Sequence, residues 1–264
     1  MVDYFIMQYL PFELTSYSDG LFGSLLDLPD SSLNGLQLDA GVPVTKIGGA
    51  VDACMDAFIE AKNQGCQMIF AHHGMFWKGH EDPRAIFYNG SRLRFLFEAG
   101  ISLAAYHAPL DIHGTIGNNV ILCKILELSN IKPFGKWPGT AIVFGYEGVF
   151  SQPMSANCIA SILEQSLPSC KVTVWPFGKK EITKIGVVSG GGYYSINEAA
   201  QKGLDAIITG EIHHENYHHA KELGMNVIIG GHWATETPGV KALVEDIGKK
   251  FNLETAFINV PTGL

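Results

Sequence analysis

Thr45-Lys46-Ile47-Gly48 reappears as Thr183-Lys184-Ile185-Gly186, and Glu60, Ala61 and Gly65 reappear as Glu198, Ala199 and Gly203. The offset is constant at 138 (185 − 47 and 203 − 65), so the chain reads as two duplicated halves. After each lead-in comes an apolar run, Met68-Ile69-Phe70-Ala71 or Ala206-Ile207-Ile208-Thr209. A polar cluster follows, His72-His73 in the first half and Gly210-Glu211-Ile212-His213-His214 in the second. Further along each half a histidine stands four residues before a carboxylate, as His107-Ala108-Pro109-Leu110-Asp111 and His232-Trp233-Ala234-Thr235-Glu236.

The spacing predicts strand, helix, strand, helix, strand over Val44–Gly49, Val51–Asn63, Gln67–Ala71, Ser91–Glu98 and Ser102–Tyr106. The same order is expected over Lys184–Val188, Ser195–Lys202, Ala206–Thr209, Glu215–Leu223 and Asn226–Ile229, with Ser195-Ile196-Asn197-Glu198 as a capping box. Short apolar strands alternating with helices indicate an α/β fold with helices on both faces of each sheet. The expected architecture is two duplicated α/β halves forming one layered, intertwined domain with a dinuclear metal site between them. The first half is assigned to residues 1–129 and the second to 183–264. Residues 130–182, punctuated by five prolines from Pro133 to Pro176, are expected to form a connecting sub-domain or a dimerisation element, with elements at Ala141–Phe150, Ser155–Gln165 and Lys171–Pro176.

At 264 residues the chain is long enough to bury a substantial core. Its net charge of −8 supplies no basic stripe and argues against nucleic acid as a partner. The start, Met1 to Leu10, lacks a basic n-region and is interrupted by Asp3, so it is read as mature structure. No stretch approaches the roughly 18 apolar residues of a membrane span. Five scattered cysteines with no C-x-x-C spacing read as buried thiols of a reducing compartment, which places the protein in the cytoplasm.

Neutral imidazoles and carboxylates gathered at strand ends suit Zn, Fe, Mn, Co or Ni better than Ca or Mg. Six such groups exceed one four-coordinate ion and match two divalent ions sharing a bridging carboxylate, about 3.5–4 Å apart. Adjacent strand residues point to opposite faces, so His72 and His73 are expected to meet in a turn at Gly74. Pro109 argues against a helix through His107–Asp111. His214-Glu215-Asn216-Tyr217-His218 also fits the H-E-x-x-H pattern of zinc proteases. Gly190-Gly191-Gly192 reads as a tight turn with N–H groups suited to an anion, and Asn34-Gly35-Leu36-Gln37-Leu38 and Gly117-Asn118-Asn119 read as turns.

Together these motifs resemble the NGG-one-interacting-factor-three-like family of dinuclear metal-centre proteins, many of whose bacterial members are named as GTP cyclohydrolase I type 2 homologues. The match covers nearly the whole chain, through Asn34 to Gln37, Ala71-His72-His73, Tyr106 to Asp111, Gly117 to Asn119, Thr209 to His214 and Gly231 to Glu236. The resemblance implies metal ligation by His72, His73, His107, Asp111, His232 and Glu236, with His213 and His214 lining the pocket, and a ring-shaped homohexamer. Gly74 stands where a Pro often follows the histidine pair, and Trp233 replaces a common Tyr. The expectation is a metal-dependent hydrolase of a small-molecule, nucleotide-type substrate, with Glu211, His213 and His214 as candidates for proton transfer. A metal-delivery or regulatory protein without turnover is the alternative from a different class.

Overall fold

The computed structural model describes residues 8–79 and 87–264, so most of the Met1 to Leu10 segment lies outside the described residues. In chain order the strands are β1 (Gly35–Leu38), β2 (Lys46–Asp52), β3 (Met68–His73), β4 (Ser102–Ala105), β5 (Ser129–Lys136), β6 (Val143–Met154), β7 (Thr173–Pro176), β8 (Ile182–Val188), β9 (Ala206–Thr209), β10 (Asn226–Ile229) and β11 (Glu254–Phe257). The helices are α1 (Pro11–Phe22), α2 (Met55–Asn63), α3 (Phe87–Ala99), α4 (Ala108–Ile112), α5 (Asn118–Ile125), α6 (Ala156–Ser166), α7 (Ile196–Gln201), α8 (Asn216–Glu222), α9 (His232–Thr235) and α10 (Thr237–Phe251). The chain forms two compact units, residues 1–110 with 240–260 and residues 111–239 with 261–264.

The first unit holds the sheet β1-β4-β3-β2-β11, in which β4, β3, β2 and β11 run parallel and β1 is an antiparallel edge. The second holds β5-β6-β8-β9-β10-β7, with β8, β9 and β10 parallel and β7 an antiparallel edge beside β10. The duplicated block is therefore an antiparallel edge strand beside three parallel ones. Its offset survives in three dimensions, because β7 begins 138 residues after β1 (173 − 35).

The strands β9 and β10 fall where the sequence places them, whereas the domain boundaries differ. Residues 130–182 do not stand apart, since β5, β6 and β7 belong to the second sheet. Conversely, β11 leaves the second half of the sequence and pairs in parallel with β2. Pro133 is accommodated because β5 is an edge strand, where a missing N–H need not interrupt a ladder. The Gly35 to Leu38 stretch, expected as a turn, is the strand β1.

Helices cover both faces of the first sheet. Phe58 and Ala61 of α2 and Leu96 of α3 are completely buried in a core with Ile69 and Leu103. On the other face α10 approaches so closely that a Cβ on Gly49 would lie 3.0 Å from Val240 O and 3.1 Å from the Val244 methyls. In the second unit Ile196, Ala199 and Ala220 of α7 and α8 pack with Ile207 and Val227. The expected capping box at Ser195 does not form. A 3-10 turn over Gly192–Ser195 leads directly into α7, so Ser195 is already helical and its Oγ donates to Gly192 O at 2.7 Å.

The duplication extends to individual hydrogen bonds. Gln67 Oε1 accepts from Thr45 N and Lys46 N at 3.1 and 3.0 Å. At the equivalent place Asp205 Oδ2 accepts from Thr183 N and Lys184 N, both at 3.0 Å, and Asp205 Oδ1 takes Lys179 Nζ at 2.6 Å. Burial pushes the Asp205 carboxyl up, but Lys179 and the two N–H donors outweigh it and hold it below its ordinary value. A carboxyl depressed on folding stabilises above its unfolded pKa and loses that contribution as pH falls through the folded one. Asp205→Ala is therefore expected to cost about 1–3 kcal/mol at pH 7, with a deficit that narrows below about pH 4. Gln67→Ala should show a deficit of similar size that does not follow pH. Urea unfolding of both variants from pH 7 to pH 3 checks this, and a pH-independent Asp205→Ala deficit would contradict it.

Candidate metal centre

In the first unit β3 ends on His72 and His73, and His107 lies two residues beyond the end of β4, after Tyr106. Ligand atoms of these three imidazoles all lie within 4.8 Å of one another. Their ring centroids are 4.7 Å (His72 to His73), 5.1 Å (His72 to His107) and 5.6 Å (His73 to His107) apart. The two adjacent histidines do not need a turn to meet. Both remain within β3, where His73 is still paired with Asp52 of β2.

A hydrogen bond at Nδ1 aims each ring. His72 Nδ1 lies 3.1 Å from Tyr106 O, His73 Nδ1 2.8 Å from Asp52 Oδ1, and His107 Nδ1 2.9 Å from Asp30 Oδ1. An acceptor at Nδ1 puts the proton there and the lone pair on Nε2, the tautomer a metal ligand requires. Asp30 is itself held: it accepts from Ser32 N, Asn34 Nδ2 and Ala108 N, while Asn34 Oδ1 accepts from His107 N at 2.8 Å. Burial pushes the Asp30 carboxyl up, but His107 with Asn34 and the Ser32 N–H brings it well below the usual carboxylate range. Trp77 packs edge-on against His107 with ring centroids 5.0 Å apart.

In the second unit His232 begins α9, with Nδ1 3.0 Å from Glu211 Oε2 and Nε2 3.1 Å from Glu236 Oε1. Glu236 is buried. Desolvation lowers the His232 pKa, but the two carboxylates outweigh it and raise it to about 9. Gly190, with φ 55°, lies against this pair, and a Cβ there would collide with Glu236 Oε1. Its N–H donates to Thr235 Oγ1 and that of Gly192 to Gly190 O, so the glycine run is a close backbone approach and not an anion cradle.

Asp111 is buried, and its Oδ1 accepts from Asn118 Nδ2 at 2.8 Å and Ser189 Oγ at 3.1 Å. Asn118 Oδ1 in turn accepts from Gly239 N, and Asn119 bridges Asp111 O and Ser189 N. The helix excluded by Pro109 does form as α4. Pro109 occupies its first turn, where a backbone N–H has no intrahelical acceptor and the fixed φ suits the helix.

Of the remaining candidates, Glu211 holds His232, His213 is exposed and packs at a tilt against Tyr193 with ring centroids 4.0 Å apart, and His214 is exposed. The H-E-x-x-H phrase does not make a zinc-protease helix, because α8 begins only at Asn216 and leaves His214 outside it. The donor set fits a transition metal: three ring-anchored imidazoles in one unit, and buried carboxylates beside a histidine in the other.

Residues 27–263 match the family described as Duf34/NIF3 (NGG1p interacting factor 3). The chain belongs to this family. Among NIF3 relatives, a Pyrococcus horikoshii protein named "GTP cyclohydrolase 1 type 2 homolog" is 44% identical over 252 residues, covering 96% of this chain and 98% of the relative. A crystal structure of a Thermus thermophilus protein superposes with a TM-score of 0.86 at 34% identity, covering 97% of this chain and 100% of that one. The protein ybgI, described as of unknown function, superposes with a TM-score of 0.87 at 30% identity over the same shares. These likenesses agree with an α/β fold containing two sheets.

Sequence reading missed Asp30, Asp52, Asn118 and Ser189, and took Asn34, Asn118 and Asn119 for turn residues. Two adjacent asparagines open α5 and are both completely buried, which polar turn residues are not. Asn118→Ala leaves every candidate ligand in place, yet it removes a donor from Asp111. It is expected to weaken metal affinity about 10–100-fold, measured by competition with a chromogenic chelator. Unchanged affinity would show that Asp111 does not ligate.

Proposed function

We propose that this NIF3-family chain is a cytoplasmic, dinuclear metal-dependent hydrolase of nucleotide-type small molecules. Its proposed ligands are His72, His73, His107, Asp111, His232 and Glu236, and its ions two of Zn, Fe, Mn, Co or Ni. The observation that carries this reading is the three-imidazole cluster, in which each ring is fixed at Nδ1 by its own acceptor and all ligand atoms lie within 4.8 Å. Ligation is the role that explains why Asp30 and Asp52 are spent on orienting these imidazoles.

Divalent ions held there supply polarisation of a substrate oxygen and a lowered pKa for water. The residues of the chain perform the remaining tasks. Asp111 and Glu236 would bring the negative charge that neutral imidazoles lack. Glu211 keeps His232 oriented, and it stands with His213 and His214 as the candidate for moving a proton at the leaving group. The substrate class rests on the names of the relatives. Five free thiols support the reducing compartment. The homohexamer implied by resemblance is checked by light scattering against the 28.7 kDa chain mass.

The test is a comparison of two variants across metal binding and hydrolysis of a nucleotide panel. Glu236→Gln should lower metal affinity at least about tenfold and abolish metal-dependent turnover, because it removes a buried carboxylate charge from the proposed ligand set. His214→Ala should keep its metal. Turnover absent from the metal-loaded parent over the whole panel would sink the hydrolase reading and leave a metal-handling protein. Equal metal loss in the two variants would overturn the ligand assignment.

A further inference from the structure

Residues of β5, β6 and β8 and those just after α7 line a half-open cavity of about 530 Å³ on the surface of the second unit. It lies by the start of β8, whereas Ser189 and Gly190 follow that strand's other end. The volume falls in the range of small-molecule sites, roughly 300–1,000 Å³.

Charge distinguishes this cavity. Lys132, Lys184 and Lys202 line it against the single carboxylate of Glu147, in a chain whose net charge is −8. Lys202 takes that carboxylate, with Nζ 2.8 Å from Glu147 Oε2, and it also reaches Glu198 Oε1 at 3.4 Å. Lys132 sits opposite Glu147 in the ladder, but the carboxylate is turned to Lys202. Among the described residues neither Lys132 nor Lys184 has an ion-pair partner.

The duplication shows that this is a change from the other repeat. Lys46 is the counterpart of Lys184, and β11 places Glu254 beside it, 3.6 Å from its Nζ. In the second unit β6 takes the position of β11 and sets Val149 opposite Lys184. The lysine is kept and its neutralising carboxylate is gone. Lys132 and Lys184 line one concavity, and with Lys202 they outnumber the nearby carboxylates of Glu147 and Glu198 three to two, an excess that favours an anion there. Ile131 and Leu204 add an apolar wall, which favours an organic anion over a free inorganic one.

We propose that this cavity is a second ligand site, remote from the candidate metal centre, for a small organic molecule carrying a phosphate or diphosphate group. The inference does not depend on the proposed hydrolase activity. Metal-loaded protein is titrated calorimetrically with ADP and, separately, with inorganic pyrophosphate. The comparison set is His107→Ala, the double variant Lys132→Gln/Lys184→Gln, and Lys221→Gln as a surface control. One binding event should persist in His107→Ala and in the control, weaken about tenfold or more in the double variant, and weaken with added salt. ADP should bind more tightly than pyrophosphate. Binding that vanishes in His107→Ala, or that survives unchanged in the double variant, would overturn the site. Pyrophosphate binding as tightly as ADP would overturn its assignment to an organic anion. Matching unfolding midpoints for the parent and double variant confirm that affinity, not folding, is being read.

Discussion

The hydrogen bond at the Nδ1 of each clustered histidine is the constraint around which the first unit's candidate centre is built. Without an acceptor there, an imidazole samples both tautomers and a range of ring angles, and the Nε2 lone pairs of three rings have no reason to converge. Tyr106 O, Asp52 and Asp30 remove that freedom. Asp52 is carried by β2 and Tyr106 is the residue after β4, while the buried Asp30 side chain sits on a surface loop tied down through Asn34 and Ala108. The chain from apolar strand to oriented lone pair is thus short and rigid, as a preorganised site requires.

Asp111 and His232 are positioned by the same logic with different parts. Side-chain amides and a hydroxyl hold Asp111, and carboxylates on both sides hold His232. The tight approach of Gly190 to Glu236 explains why a glycine run follows β8: any side chain at Gly190 would displace that carboxylate. Duplication has supplied a common sheet block, and each copy has furnished its strand ends with different chemistry. His72-His73 ends one apolar run where Gly210-Glu211 ends its counterpart.

What the sequence made legible was local. β9 and β10 are short apolar runs bounded by polar or glycine residues, and their limits are read correctly. The clustering of His72, His73 and His107 and the association of His232 with Glu236 followed from the repeated spacing. What it hid was long-range or depended on burial. Nothing near Glu254 to Phe257 announces a parallel pairing with β2, some two hundred residues earlier in the chain. Pro109 was misjudged because a proline's effect depends on its place in the helix, and that place is unknown until the helix start is fixed. Asn118 resembles any turn asparagine until its burial beside Asp111 is seen. The acceptors Asp30 and Asp52 lie 77 and 21 residues from the histidines they orient, beyond any spacing rule.

The proposal that these donors hold two ions per chain is checked by counting metal, through elemental analysis and anomalous X-ray scattering of protein reconstituted with zinc or manganese. Two ions per chain are expected, about 3.5–4 Å apart, with His72, His73 and His107 among their ligands through Nε2. A single ion, or ligation through Nδ1 with the bonds to Asp30 and Asp52 broken, would contradict it.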